Sequence, residues 1–316
     1  MRELIINGRR IADDTDAWVC AELGANHQGS VQTCRDLIKA AADAGVDAVK
    51  LQKRDLATWE ARDPEAWHHP YESENSFGAT YGEHRAALEF DFMQYAELKA
   101  YAESLGLVFF ATAWDVPSLR FLVDLGVPAI KLASASIVDE ELLPACAATG
   151  LPIIASTGGA TLQEIEDARL MMRTPDMAAR GVLAKNLAIL SCVATYPTEP
   201  RDMNLSVIES LRDEFPNTVI GLSDHYSGIA LTAASYLLGA RIIEKHFTLH
   251  RAWKGADQAF SLEPSGMSRL VRDLQRMRVA MGSGVKQRLD EEVPALIKMG
   301  RKDLLNHIPS ALLRGW

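Results

Sequence analysis

The chain has 316 residues, with 33 lysines and arginines against 42 aspartates and glutamates, giving a formal charge of −9 with histidines neutral. An acidic balance argues against a nucleic-acid partner, because neutralising phosphates requires a basic face. With 48% hydrophobic and 24% charged residues, the composition is that of a folded protein with a large core, not of a disordered chain.

Taken from the N-terminus, MRELIINGRR lacks the apolar stretch of a secretory signal, and no apolar run in the chain reaches the ~18 residues of a membrane span. Short apolar runs of strand length then alternate with longer segments of helical period. The candidate strands are Trp18 to Gly24, Ala48 to Gln52, Val108 to Ala113, Ala129 to Ser134, Pro152 to Thr157, Leu187 to Cys192, Val219 to His225 and Arg241 to Phe247. Helix starts carry their signals: Ser30 precedes VQTCRDLIKAA, Pro117 lies in the first turn after Asp115, and Thr161 with Glu164 forms a capping box. Eight strand-helix units within roughly 260 residues predict an α/β fold of the TIM (β/α)8 type. A doubly wound open sheet is the competing architecture, but no dinucleotide glycine fingerprint follows the first strand. Cys20, Cys34, Cys146 and Cys192 show no CxxC spacing and are expected as reduced thiols in a cytoplasmic protein.

Three units repeat a pattern in which a helix-ending glycine is followed five positions later by a charged residue: AGVDAVK, LGVPAIK and LGARIIE. Lys50, Lys131 and Glu244 are the charged residues, late in apolar strands, where they need partners. In a barrel this is the active-site end. Residues 56–91 form a polar and aromatic insertion after the second strand, readable as a lid over the barrel mouth or as a surface excursion. The expected organisation is a catalytic barrel over 1–284 and a tail over 285–316.

Two histidines make the sharpest constellation. His225 ends GLSDH and His246 lies in IIEKHF, on neighbouring strands; period-two alternation puts Ser223 with His225 on one face and Glu244 with His246 on one face. If those faces point inward, two neutral imidazoles converge and leave positions open on a divalent cation acting as a Lewis acid; otherwise each is a hydrogen-bonded core histidine. Lys50 and Lys131 bring positive charge to the same end and suggest an anionic substrate. Ser156 to Ala160, a glycine-rich turn before Thr161, offers backbone N–H groups to phosphate or carboxylate. Thr112, Ser134 and Ser223 add hydroxyls. Glu22, in AELGANHQG, can move a proton or orient a hydroxyl, or pair with Lys50, and Asp257 lies in the polar loop after the eighth strand.

The segments AELGANHQGS, AVKLQK, ATAWD, KLASAS, STGGATLQEIEDA, GLSDHYSGI and IIEKHFTL, in that order, closely resemble the catalytic barrel of the sialic acid (N-acetylneuraminate, nonulosonic acid) synthase family. The likeness runs from about Trp18 to Gly284. It implies a transferase that condenses phosphoenolpyruvate with an N-acylmannosamine-like aldose to a nine-carbon 3-deoxy acid and phosphate, with manganese or magnesium as cofactor. By position, His225 and His246 resemble the metal ligands. Lys50, Thr112, Lys131, Ser134, Ser156 and Ser223 resemble the phosphoenolpyruvate cradle, Glu22, Glu244 and Asp257 the acidic residues near sugar and metal, and Tyr196 a tyrosine of the sixth-strand motif.

The pattern departs at Ser136, where family members usually have a glutamate, and at Ala194, where they usually have a polar residue. The family also usually continues into an antifreeze-like domain that reaches across a dimer. GSGVKQRLDEEVPALIKMGRKDLL resembles the linker to that domain, which this chain is expected to lack, while a homo-oligomer is expected. Three alternatives stay open: the same condensation on another sugar aldehyde, a Schiff-base aldolase or lyase using Lys50 or Lys131, and a non-catalytic anion-binding barrel.

Overall fold

The computed structural model describes residues 2–173 and 186–307, with side chains through residue 304, so the last residues of the tail fall outside the described residues. The chain divides into two compact units, Met1–Met277 and Arg278–Trp316.

The first unit opens with an antiparallel hairpin, β1 (Glu3–Ile6) and β2 (Arg9–Ala12), that the eight-unit reading does not contain. Its turn is Asn7-Gly8, with φ of 48° and 77°, the tight hairpin turn that a Gly accepts without strain. Alternation buries Leu4, Ile6 and Ile11 in the main core. Arg9 pairs with Asp47, and Arg241 donates through Nε to the Asp13 carbonyl at 3.0 Å, which ties the hairpin to the N-terminal ends of the barrel strands.

Eight parallel strands close the barrel: β3 (Trp18–Gly24), β4 (Ala48–Lys53), β5 (Val108–Ala113), β6 (Ile130–Leu132), β7 (Ile153–Ser156), β8 (Leu187–Cys192), β9 (Val219–Asp224) and β10 (Ile242–His246). Each pairs with the next and β10 returns to β3, with Ile242 opposite Trp18 and His246 opposite Glu22. Closure excludes the open doubly wound sheet. The strands are buried along nearly their whole length because helices cover their outer face, which is why they read as apolar runs. The helices are α1 (Val31–Asp43) after β3, α2 (Leu56–Arg62), α3 (Pro64–His68), α4 (Tyr81–Ala86) and α5 (Phe92–Ser104) after β4, and α6 (Val116–Asp124) after β5. Then come α7 (Leu142–Ala148), α8 (Leu162–Met171), α9 (Val207–Glu214), α10 (Ala230–Leu237) and α11 (Pro264–Ala280). Ser30, Asp115 and Thr161 accept the N3 backbone N–H groups of their helices, as their sequence signals predict, and Glu164 completes the box at Thr161.

Four expected strands are shorter than their apolar runs: β7 and β10 lose one residue at each end, β9 loses its last and β6 loses Ala129, Ala133 and Ser134. β6 ends at Leu132, because the Ser134 carbonyl accepts from Ile137 N and closes a 3₁₀ turn over Ser134–Ser136. β9 ends at Asp224, because the His225 carbonyl accepts from Thr198 N in the loop after β8. Both functional candidates therefore leave the sheet as it ends.

The insertion lies over the C-terminal ends of the strands. A side chain on Gly29, after β3, would sit 2.1 Å from the Ala87 carbonyl that follows α4. Trp59 Nε1 on α2 donates to Asp115 Oδ2 at 2.9 Å, and Gly255 N, after β10, donates to Asn75 Oδ1 at 3.0 Å. Among the described residues no helix is long and apolar enough to cross a membrane. The second unit contains α12 (Val293–Lys298) and 3₁₀ turns at Asp290–Glu292 and Lys302–His307.

Candidate active site

The five-residue spacing from each glycine brings Lys50, Lys131 and Glu244 to the inside of the barrel. Their outward neighbours confirm the alternation: Lys245 pairs with Asp224 at 2.7 Å, both fully buried on the outer face. Inside, Glu22 and Lys50 stand opposite each other in the β3–β4 register and form an ion pair with 1% and 3% of their side chains exposed. Lys50 Nζ also donates to Thr112 Oγ1 at 2.8 Å, and Gln52 Nε2 donates to Glu22 Oε1 at 2.9 Å. Lys131 Nζ donates to Ser156 Oγ at 2.6 Å and to the Leu132 carbonyl at 2.8 Å, with Glu244 Oε2 3.9 Å away. Ser223 Oγ donates to Glu244 Oε1 at 3.1 Å. Four charged side chains are tolerated here because each meets an opposite charge and a further polar group, the Gln52 amide for Glu22 and a hydroxyl for the other three.

The environment sets their protonation apart. Burial raises the Glu22 carboxyl to about 7 against the pull of Lys50, so it exchanges a proton near neutrality. Burial works the same way on Glu244, but Lys131 and Lys50 overcome it and hold that carboxyl below its ordinary value. Burial lowers Lys131. Lys50 is lifted above its ordinary value in spite of burial, by Glu22 and Glu244.

At the rim the rings of His225 and His246 lie 5.4 Å apart, centroid to centroid, and both are buried. His225 Nδ1 lies 2.8 Å from the Val193 carbonyl, which fixes the proton on that nitrogen and leaves Nε2 with a free lone pair. His246 Nδ1 is buried with no hydrogen-bond partner, and Asp257 Oδ2 is 3.7 Å from it. Burial lowers the pKa of both imidazoles and raises that of Asp257. Neutral imidazoles with an orphaned ring nitrogen fit a divalent cation that takes its other ligands from water and substrate. Among the described residues no cluster of three or more His, Cys, Asp or Glu side chains is arranged to hold one by itself.

Tyr196 packs its ring 4.1 Å from that of His225, with 55% of the residue still exposed. Ser134 Oγ accepts from Gly158 N at 2.9 Å, so this N–H of the glycine turn is engaged by a side chain instead of standing open to an anion. Gly24 explains how three polar groups meet at the end of β3. With φ +50°, a side chain there would lie 3.1 Å from Glu22 Oε1, 3.2 Å from Asp257 Oδ2 and 3.4 Å from Gln52 Nε2. All twelve residues singled out from the sequence thus lie around one mouth.

Four neighbours were not among them. Phe260 sits 4.9 Å from the His246 ring and 6.0 Å from that of His225. Gln52 bridges Glu22 and Arg54, whose guanidinium lies 4.0 Å over the Trp114 ring. Gln52 lies two residues beyond Lys50, so strand alternation alone points to it. Phe260, Arg54 and Trp114 have no such signal in the sequence.

Residues 37–286 match the NeuB family. The chain is 36% identical over 294 residues to N-acetylneuraminate-9-phosphate synthase of Homo sapiens, covering 93% of this chain and 79% of that protein. It is 35% identical to N,N'-diacetyllegionaminic acid synthase of Legionella pneumophila, covering 91% and 81%. Among solved structures, the N-acetylneuraminic acid synthetase of Leptospira borgpetersenii superposes with a TM-score of 0.78 at 30% identity, covering 95% of this chain and 97% of the other.

Proposed function

Since the chain belongs to the NeuB family, we propose that it is a synthase that condenses phosphoenolpyruvate with an N-acylmannosamine-like aldose to a 3-deoxy-nonulosonic acid and phosphate. Carbon 3 of phosphoenolpyruvate bonds to the aldehyde carbon, whose oxygen takes up a proton. Water adds to carbon 2, and collapse of that centre expels phosphate by carbon-oxygen cleavage. The observation that carries this reading is the buried Glu22–Lys50 and Lys131–Glu244 arrangement beside two neutral imidazoles.

Lys50 and Lys131 offer fixed positive charge to the carboxylate and phosphate of the donor, and Thr112, Ser134, Ser156 and Ser223 supply hydroxyls around them. Glu22, titrating near neutrality, holds or delivers the proton that reaches the aldehyde oxygen. Glu244 stays ionised and orients Lys131 and Ser223, while Asp257 and Tyr196 border the space for the sugar. His225 and His246 are the residues that would hold Mn2+ or Mg2+, which when bound supplies a Lewis acid for a carbonyl oxygen.

Purified protein incubated with phosphoenolpyruvate, divalent ion and a panel of aldoses is expected to release phosphate and yield a product heavier than the aldose by three carbons. Absence of phosphate release with every aldose overturns the reading. Burial lowers Lys131, the one observation that favours a Schiff base, but its contacts to Ser156, Leu132 and Glu244 are those of a charged donor. Borohydride is expected to trap no adduct. A homodimer and a reducing cytoplasm complete the proposal, the latter supported by four free cysteines; light scattering tests the former.

A further inference from the structure

On the outer face of β9 and β10 the register sets Leu222 beside Ile243 and, one step further along, Asp224 beside Lys245. The first pair is the apolar contact that a strand makes beneath a covering helix. The second is an ion pair at 2.7 Å with neither side chain exposed. Such a pair adds little stability, because desolvating both charges offsets most of their attraction, and an apolar pair of similar volume serves as well. Its contacts lead instead to the histidines. Asp224 immediately precedes His225, and Lys245 immediately precedes His246. The ladder between the two strands ends at Lys245 and Asp224, so His225 lies just beyond it. Lys245 Nζ reaches across that gap: it donates to Asp224 Oδ2 and to the Tyr226 carbonyl, the residues on either side of His225. Asp224 Oδ1 accepts from Tyr226 N at 2.7 Å, and its Oδ2 accepts from Thr232 Oγ1, fully buried on α10. The segment Asp224–Tyr226 is thereby gripped from outside the barrel, while its middle residue faces inward with Nδ1 2.8 Å from the Val193 carbonyl.

We infer that Lys245, Asp224 and Thr232 are positioning residues that hold the His225 imidazole at its 5.4 Å separation from that of His246, and so set the affinity for the divalent cation the two rings would share. The inference rests on the reading of those histidines as metal ligands. One clamp reaches both rings, because Lys245 is covalently next to one of them and bridges the backbone around the other. Partners that fix a ligating imidazole from behind carry about ten- to a hundredfold of metal affinity. That accounts for charges at the level of the histidines on a face where Leu222 and Ile243, one step below, pack without any.

Removing either charge alone strands the other in the interior, so the test uses the double variant Asp224→Asn/Lys245→Met. Neither charge then remains, methionine fills the volume of the lysine stem, and the asparagine oxygen still accepts from Tyr226 N. Equilibrium dialysis of the full chain against Mn2+ is expected to give a Kd about tenfold or more above that of the wild type. Calorimetric titration with phosphoenolpyruvate, without metal, is expected to give an unchanged Kd, since Lys50 and Lys131 are untouched. An unchanged Mn2+ Kd overturns the inference, and so does a parallel loss of affinity for both probes, the mark of a barrel disturbed as a whole. If far-ultraviolet dichroism shows the double variant unfolded, Thr232→Val decides, because it keeps the ion pair and removes one hydroxyl from Asp224. A rise of about threefold or more in its Mn2+ Kd supports the clamp, and no change overturns it. A wild type that binds no Mn2+ overturns the metal role of both histidines and the clamp with it. A wild type that binds Mn2+ but not phosphoenolpyruvate counts against the synthase reading instead, and the Mn2+ comparison still decides the clamp.

Discussion

Lys50 and Lys131 stay inside the barrel because Glu22 and Glu244 compensate them, and each substitution there removes one charge and exposes another. Lys131→Ala is expected to raise the KM for phosphoenolpyruvate and lower kcat/KM by about a hundredfold, measured as phosphate release; an unchanged dependence on that substrate removes Lys131 from the cradle. His225→Ala and His246→Ala are expected to abolish turnover and weaken Mn2+ binding in equilibrium dialysis, with the far-ultraviolet dichroism retained. Gly24→Ala places a methyl within 3.1–3.4 Å of Glu22, Asp257 and Gln52 in a left-handed backbone. It is expected to cost about 1–2 kcal/mol of stability and at least about tenfold in kcat/KM, from groups pushed off their geometry. His27 titrates apart from this chemistry. Its Nδ1 accepts from Gly29 N at 3.1 Å and its ring donates to the Gly24 carbonyl, and burial lowers it from 6.5 to about 4. Because the folded value lies below the unfolded one, the unfolded chain binds the proton first as pH falls. Stability is therefore whole above about 6.5 and declines down to about 4, a fall that His27→Gln flattens. Urea midpoints across that window check it. The histidine pair was legible because alternation on adjacent strands leaves little freedom. Arg54 was not, since its place over the Trp114 ring depends on how the loops after β4 and β5 pack against each other.

Elements differ in how much of themselves they announce. The barrel strands are apolar on both faces, and their helices carry explicit caps at Ser30, Asp115 and Thr161, so type and order follow from local chemistry. The ends of β6 and β9 do not, because they are set by the Ile137–Ser134 turn and the Thr198–His225 bond, which periodicity does not register. The helices α2, α3 and α4 have five to seven residues each. Helices that short have no stability of their own and are held by caps and packing. The hairpin had a signal, Asn7-Gly8 between alternating residues, too brief to stand out beside eight long units. Its contribution is measurable: Ile6→Ala is expected to cost about 2–5 kcal/mol in urea unfolding, from the cavity left in the core, whereas a loss within experimental error would make the hairpin an appendage.

Across the molecule, a net charge of −9 coexists with two buried lysines at one end of the barrel, each beside a carboxylate. Repulsion of anionic substrates by the acidic exterior is screened within about 10 Å at moderate salt, while the buried lysines are screened far less. The insertion bridges the loops after β3, β5 and β10, and we propose that it closes over bound reactants. Amide exchange over residues 69–91 is then expected to slow when phosphoenolpyruvate and acceptor are both present; no change in that segment would make it a fixed surface excursion. The hairpin has a consequence at this scale as well. Leu4, Ile6 and Ile11 join the main core where the barrel strands begin, at the opposite end from Lys50 and Lys131. Truncating the hairpin is therefore expected to lower the thermal midpoint without shifting the KM for phosphoenolpyruvate, because foundation and workplace stand at opposite ends.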